Sequence, residues 1–189
     1  MRELRPHTII ALVEDRPGVL NRIASKWRQR GFNIESLAVG HSETPGLSRM
    51  TFVVDANTDA DQVVKQLDKL VEVVEIRDIS EENKVARELA LIKVRADAQS
   101  RSQIIEIVDI FRAEIVDVGP DSIIVEVTGE SGKIDTMYTL LADYGIVEIV
   151  RTGSVALVRG PSSSTPTRHD LGEEPFQRYP ESEPPYSDK

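Results

Sequence analysis

The chain has 189 residues, 40% of them hydrophobic and 29% charged, a globular profile with room for one ordinary domain or two small ones. It contains no cysteine, which excludes disulfides and thiolate metal sites and fits a reducing compartment. Its formal net charge is −9 with no clustered basic patch, which argues against nucleic-acid binding.

The N-terminal MRELRPHTII lacks the apolar run of a signal peptide. No segment approaches the roughly 20 apolar residues that span a bilayer. The expectation is a cytoplasmic protein without a membrane anchor.

From His7 the segment HTIIALVED is rich in β-formers and predicts a buried strand. A helix follows, with Pro17 suited to its first turn, where a missing N–H has no partner to lose. Its apolar positions Val19, Leu20, Ile23, Ala24 and Trp27 recur at helical spacing, and Gly31 ends it. FNIESLAVG and LSRMTFVVD then read as two strands joined by the turn-rich SETPG. A second helix opens at Thr58, with Asp61 at capping-box spacing, and buries Val63, Val64, Leu67, Leu70 and Val71. VVEIRDIS closes the unit as a strand, giving the ferredoxin-like order β-α-β-β-α-β.

The pattern then repeats, although the two halves differ in sequence. RELALIKVRAD predicts a strand, followed by a helix capped by Ser100 or Ser102 and packed through Ile104, Ile105, Val108 and Phe111. EIVDVG and SIIVEVTG flank a turn at Pro120 and Asp121. A further helix buries Ile134, Met137, Tyr138 and Leu141 and stops at Gly145; IVEIVRTG is the closing strand, and SVALVRG adds a short one. The remainder from residue 161 holds six of the ten prolines and few aliphatic residues, so it cannot bury enough apolar area to offset its ordering entropy. The expected organisation is α+β: two ferredoxin-like domains at residues 1–80 and 81–160, then a disordered tail at residues 161–189.

Units of about 75 residues are only marginally able to bury a core, and ferredoxin-like sheets leave open edges. FNIESLAVG is an apolar edge candidate, and pairing through it predicts a homodimer.

Several motifs have plain structural explanations. Asp55, Asn57 and Asp59 are spaced like a calcium loop, but its sixth position is Ala60 and its twelfth Gln66, so helix capping accounts for them. TGESGKI has Gly129 and Gly132 too close together for a phosphate loop, and Ile134 follows Lys133 where Ser or Thr is required. His7, His41 and His169 lack metal-ligand spacing. There is no cysteine nucleophile and no G-x-S-x-G elbow. An RNA-recognition module shares the strand order, but the strands that would stack bases carry only Phe52 as an aromatic. Neither an enzyme active site nor a metal site is predicted.

The opening VEDRPGVLNRI has a different character. Gly18 beside Pro17 leaves the amides of Gly18, Val19 and Leu20 approachable, and free N–H groups at the positive end of a helix attract an anion. Asp15 offers an acceptor for a cationic group, and Asn33 offers donors and an acceptor. An amino acid, with adjacent carboxylate and ammonium groups, matches this set; a helix cap alone would use the same residues.

VEDRPGVLNRI, RGFNIESLAVG, LSRMTFVVD, KQLDKLVEVVEI and RELALIKV, in this order and spacing, resemble the regulatory small subunit of acetohydroxyacid synthase (acetolactate synthase), a member of the ACT domain family. The resemblance runs from about His7 to Gly160. It implies a chain without catalytic activity or cofactors of its own. The implied partner is a catalytic large subunit carrying thiamine diphosphate, Mg²⁺ and FAD, which the small subunit activates and subjects to feedback inhibition by valine in branched-chain amino-acid synthesis. It further implies side-by-side pairing of two ACT domains. Gly18 and Val19 amides of one copy then hold the effector carboxylate, Asn33 and Ile34 of the other complete the site, and Gly40 stays small. Some members carry Asn where this chain has Asp15, so Asp15 is expected on the ammonium side. The alternative is a free-standing ACT-domain sensor that controls a different enzyme.

Overall fold

The computed structural model describes residues 6–160; the expected tail at residues 161–189 lies outside them. The elements are β1 (His7–Glu14), α1 (Val19–Arg30), β2 (Ile34–His41), β3 (Leu47–Val54), α2 (Ala60–Leu67), β4 (Val73–Asp78), β5 (Lys84–Arg95), α3 (Arg101–Ile110), β6 (Glu114–Val118), β7 (Ser122–Gly129), α4 (Ser131–Ala142), β8 (Ile146–Arg151) and β9 (Val155–Val158). The β-α-β-β-α-β order therefore occurs twice, in an α+β fold.

The described residues divide into two compact units. One comprises the chain up to Val85 together with 156–160, the other Ala86–Val155. The first sheet has the order β2-β3-β1-β4 and the second β6-β7-β5-β8, with β9 also on β5; every pairing in the two four-strand paths is antiparallel. In the first unit, alternate residues Ile9, Ala11 and Val13 of β1 meet Met50, Phe52 and Val54 of β3 beneath Val19, Ile23 and Trp27 of α1 and Val63 and Leu67 of α2. Strand alternation puts every second side chain on that face. Trp27 stacks on Phe52 (ring centroids 5.0 Å) and meets Phe32 edge-on (6.2 Å). The second unit repeats the scheme with Ala90, Ile92 and Val94 against Val125, Val127, Ile104 and Met137.

The apolar helical stripes are narrower than the sequence pattern indicates. Ile105 and Tyr138 are exposed, as are Leu20 and Ala24, and Val71 is exposed in the turn beyond α2, which ends at Leu67. A short helix lying on a sheet buries positions 3 or 4 apart, and a neighbour one residue on turns about 100° away. Caps also shift. Asp59, not Thr58, caps α2 by accepting the Gln62 N–H at 3.0 Å. Pro17 sits in the turn before α1, with Gly18 at the cap.

The two units agree beyond their strand order. The edge strands β2 and β6 each carry a bulge near their start, at Glu35 between Ile34 and Ser36 and at Val116 between Ile115 and Asp117. At the opposite edges, register shifts at Leu12/Val13 and at Lys93/Val94. Asp15 N–H donates to Gly46 O at 2.8 Å as Ala96 N–H does to Asp121 O at 3.0 Å. Glu14 N–H donates to Glu72 O at 2.9 Å as Arg95 N–H does to Gly145 O at 3.0 Å.

In the second unit the buried Glu88 accepts from Arg151, at 3.0 Å for Nη2 to Oε2, and from Ser131 Oγ at 2.9 Å. The Arg151 hydrogen bond holds the Glu88 carboxyl below its ordinary 4.5, against the upward push of burial. A depressed folded value stabilises the protein above pH 4.5 and is lost as pH falls through the lower folded value. Glu88→Gln is expected to cost about 1–3 kcal/mol at pH 7, discounted for a third-exposed Arg151. It should also flatten the loss of thermal stability below pH 4.5. Melting curves of both proteins across acid pH check this.

Candidate functional site

Helix α1 begins without a plug. Gly18 is its N-cap at φ 90°, no side chain caps it, and its first turn contains no acidic residue. The left-handed conformation is accessible to glycine at no steric cost, and a Cβ at Gly18 would meet nothing within 4 Å. The Val19 N–H reaches Arg16 O only at 3.5 Å, beyond the usual range for such a bond. Arg22 N–H donates to Gly18 O at 3.0 Å and closes the first turn. Val19 turns its side chain into the core, whereas Leu20 is exposed at the helix mouth. The mouth thus offers backbone donors, a positive dipole end and one aliphatic side chain.

Asp15, beside the mouth, is engaged by His41, whose Nδ1 lies 3.0 Å from Asp15 Oδ2. This contact locates the end of β2. Gly40 and His41 stand on the mouth side of the sheet, while Ile34, and Asn33 just before it, stand at the far end of the same edge strand. Within one chain, Gly18 and Asn33 are separated by the twelve residues of α1, a rise of about 18 Å. One copy therefore does not bring Asn33 to its own mouth.

The second unit supplies an internal comparison. At the start of α3, Asp97 Oδ1 accepts from the N–H of Gln99 (3.0 Å) and Ser100 (2.7 Å) and from Ser100 Oγ (2.7 Å). These hydrogen bonds, Ser100's first, hold the Asp97 carboxyl below the usual carboxylate range. Ser100 stands at the cap position but makes no side-chain cap; Asp97 occupies the loop donors instead. Where the first unit has an open mouth, the second carries its own anion.

Two matches divide the chain between them: the AHAS small subunit-like ACT domain family over residues 9–75, and the family described as small subunit of acetolactate synthase over residues 87–160. An acetolactate synthase small subunit of Mycobacterium bovis is 53% identical over 158 residues, covering 83% of this chain and 94% of that one. The chain belongs to the acetolactate synthase small-subunit family. The Bacillus subtilis small subunit is 50% identical over 154 residues, covering 80% and 90% of the two chains. The crystal structure of the Thermotoga maritima small subunit superposes with a TM-score of 0.76 at 43% identity, covering 84% of this chain and 99% of that one. Membership in the small-subunit family places the chain in branched-chain amino-acid biosynthesis as a regulatory subunit.

Other polar clusters in this small-subunit fold are structural. Asp55 accepts the Asn57 N–H at 2.7 Å and Nδ2 at 2.8 Å, so the calcium-like spacing is a turn followed by a cap. His7 and Ser80 both lie against Asp78, where Ser80 Oγ also accepts the Thr8 N–H at 2.9 Å. Among the described residues no group of three or more His, Asp or Glu is arranged to hold a metal, and no helix is long and apolar enough to cross a membrane. Sequence reasoning missed His41, Glu72, Arg16 and Arg22 around the mouth. The available signal was Glu72, a carboxylate inside the apolar run LVEVVEI.

Proposed function

We propose that the chain activates a catalytic acetolactate synthase large subunit and makes it sensitive to feedback inhibition by valine, with the carboxylate held at the α1 mouth. The observation that carries this reading is the contrast between the open mouth at Gly18 and the self-filled one at Asp97. In this reading residues 1–80 are the sensor domain, 81–160 its partner domain and 161–189 a tail. Catalysis, thiamine diphosphate, Mg²⁺ and FAD belong to the large subunit, and the complex is cytoplasmic.

The effector site requires two copies. In a two-fold dimer joined through edge strand β2, the strands pair antiparallel. Antiparallel pairing sets the start of one strand beside the end of the other. Asn33 and Ile34 of a second copy then approach Gly40, His41 and the mouth, which a single chain cannot achieve. Edge pairing also covers the half-exposed Val39. A ligand that bridges two chains favours one dimer geometry, and its leverage equals its differential affinity for the two geometries, typically about 1–3 kcal/mol. Membership in the small-subunit family favours the synthase as target over a free-standing sensor role.

Gly40 tests the dimer separately. Nothing in its own chain lies within 4 Å of a Cβ placed there, so Gly40→Leu should leave each copy folded, with an unchanged circular-dichroism spectrum. The same change should weaken valine binding roughly tenfold or more, because a second copy fills that space; calorimetry and sedimentation check both halves. For the function itself, the full chain is added to the large subunit with and without valine. Acetolactate formation should rise on addition and fall with valine; no change in rate on addition overturns the proposal.

A further inference from the structure

The geometry points to Glu72 as a positioning residue of the effector mouth, acting through Arg16 and Arg22, an inference that rests on the effector-site reading above. Glu72 precedes β4, and its side chain is only 4% exposed. Its Oε1 accepts from Arg22 Nη1, in the first turn of α1, and lies 3.4 Å from Arg16 Nη2, in the loop before Gly18. Arg16 Nε in turn pairs with the Glu14 carboxylate. Glu72's own carbonyl accepts the Glu14 N–H at 2.9 Å. The carboxylate therefore grips the chain two residues before Gly18 and four residues after it, and its backbone holds the end of β1.

A buried carboxylate is a poor way to gain stability. Desolvation offsets most of the attraction to its partners, and well-packed apolar residues often serve as well. What an ion pair does supply is a fixed geometry, because guanidinium and carboxylate hydrogen bonds are directional. At this mouth direction matters. Gly18 has no side chain to restrain it, and Val19 N–H makes only a long contact to Arg16. Without Glu72, Arg16 and Arg22 lose their common anchor, and the amides between them lose their aim.

The test uses the full chain and L-valine. Glu72→Gln should weaken L-valine binding by calorimetry about tenfold or more. Glu72→Asp, which keeps the charge on a shorter arm, should lie closer to the parent. Amide hydrogen exchange in Glu72→Gln should accelerate over residues 15–22 while β1 and β3 stay protected. Acceleration spread evenly over the first sheet marks a purely structural role and overturns the assignment. If Glu72→Gln does not fold, Arg16→Gln removes the partly exposed loop-side partner, and affinity within twofold of the parent overturns the assignment. A parent that binds L-valine with unchanged affinity in Glu72→Gln overturns Glu72's role alone. A parent that binds no L-valine overturns the effector site and this inference with it.

Discussion

Gly18→Asp should abolish valine binding, with affinity falling on the order of a hundredfold or more. Hydrogen bonds to a charged group contribute about 1.5–3 kcal/mol each, and about 1.4 kcal/mol is tenfold. An aspartate at the cap would place its own carboxylate over the amides that the proposed site offers a ligand, as Asp97 does for the amides of Gln99 and Ser100 before α3. Backbone strain is a competing cause, because any side chain at φ 90° costs on the order of 1–3 kcal/mol. Gly18→Asn separates the two: it is isosteric with aspartate, uncharged, and meets the same left-handed backbone, which both residues visit. Calorimetry should show Gly18→Asn retaining more affinity than Gly18→Asp. Equal losses would attribute the effect to strain, and unchanged affinity in Gly18→Asp would remove the site.

The second large effect belongs to the core. Phe52 is fully buried on β3, stacks on Trp27 and packs in the core beneath α1 and α2. Phe52→Ala is expected to cost about 3–5 kcal/mol. A unit of about 75 residues has only some 4–11 kcal/mol in total. Each kcal/mol shifts the melting temperature of such a domain by about 4–8 °C, so a drop of roughly 12–40 °C follows. Trp27 is the chain's single tryptophan, so its emission reports the first unit's core without background. A melt by Trp27 fluorescence within a few degrees of the parent would contradict this account of the packing.

Much of this fold is legible in the sequence because it follows from periodicity and punctuation. HTIIALVE and LSRMTFVV alternate into one core, and Gly31 stops α1 in the left-handed conformation. Caps were less legible, since Thr58 and Asp59 both suit the role and only the chain path shows that Asp59 accepts the Gln62 N–H. Asp97 illustrates the same ambiguity. Three residues before Ser100 it has the spacing of a capping residue, yet the serine looks equally suitable. The bulges left no trace, because bulged Glu35 and Val116 are ordinary strand residues. Around the mouth, Gly18 was readable from its type and from Pro17 before it. Glu72, Arg16 and Arg22 were not, because a contact 50 residues apart depends on topology and not on spacing.

The filled mouth at Asp97 bears on how much information one polypeptide can receive. Duplicated folds usually suggest duplicated receptors, so that two units would report two metabolites, or one metabolite twice. Here the loop before α3 already commits the Gln99 and Ser100 amides to the tethered Asp97 carboxylate. On the proposed effector reading, one polypeptide then offers a single open mouth, and steepness in its dose response would arise between polypeptides.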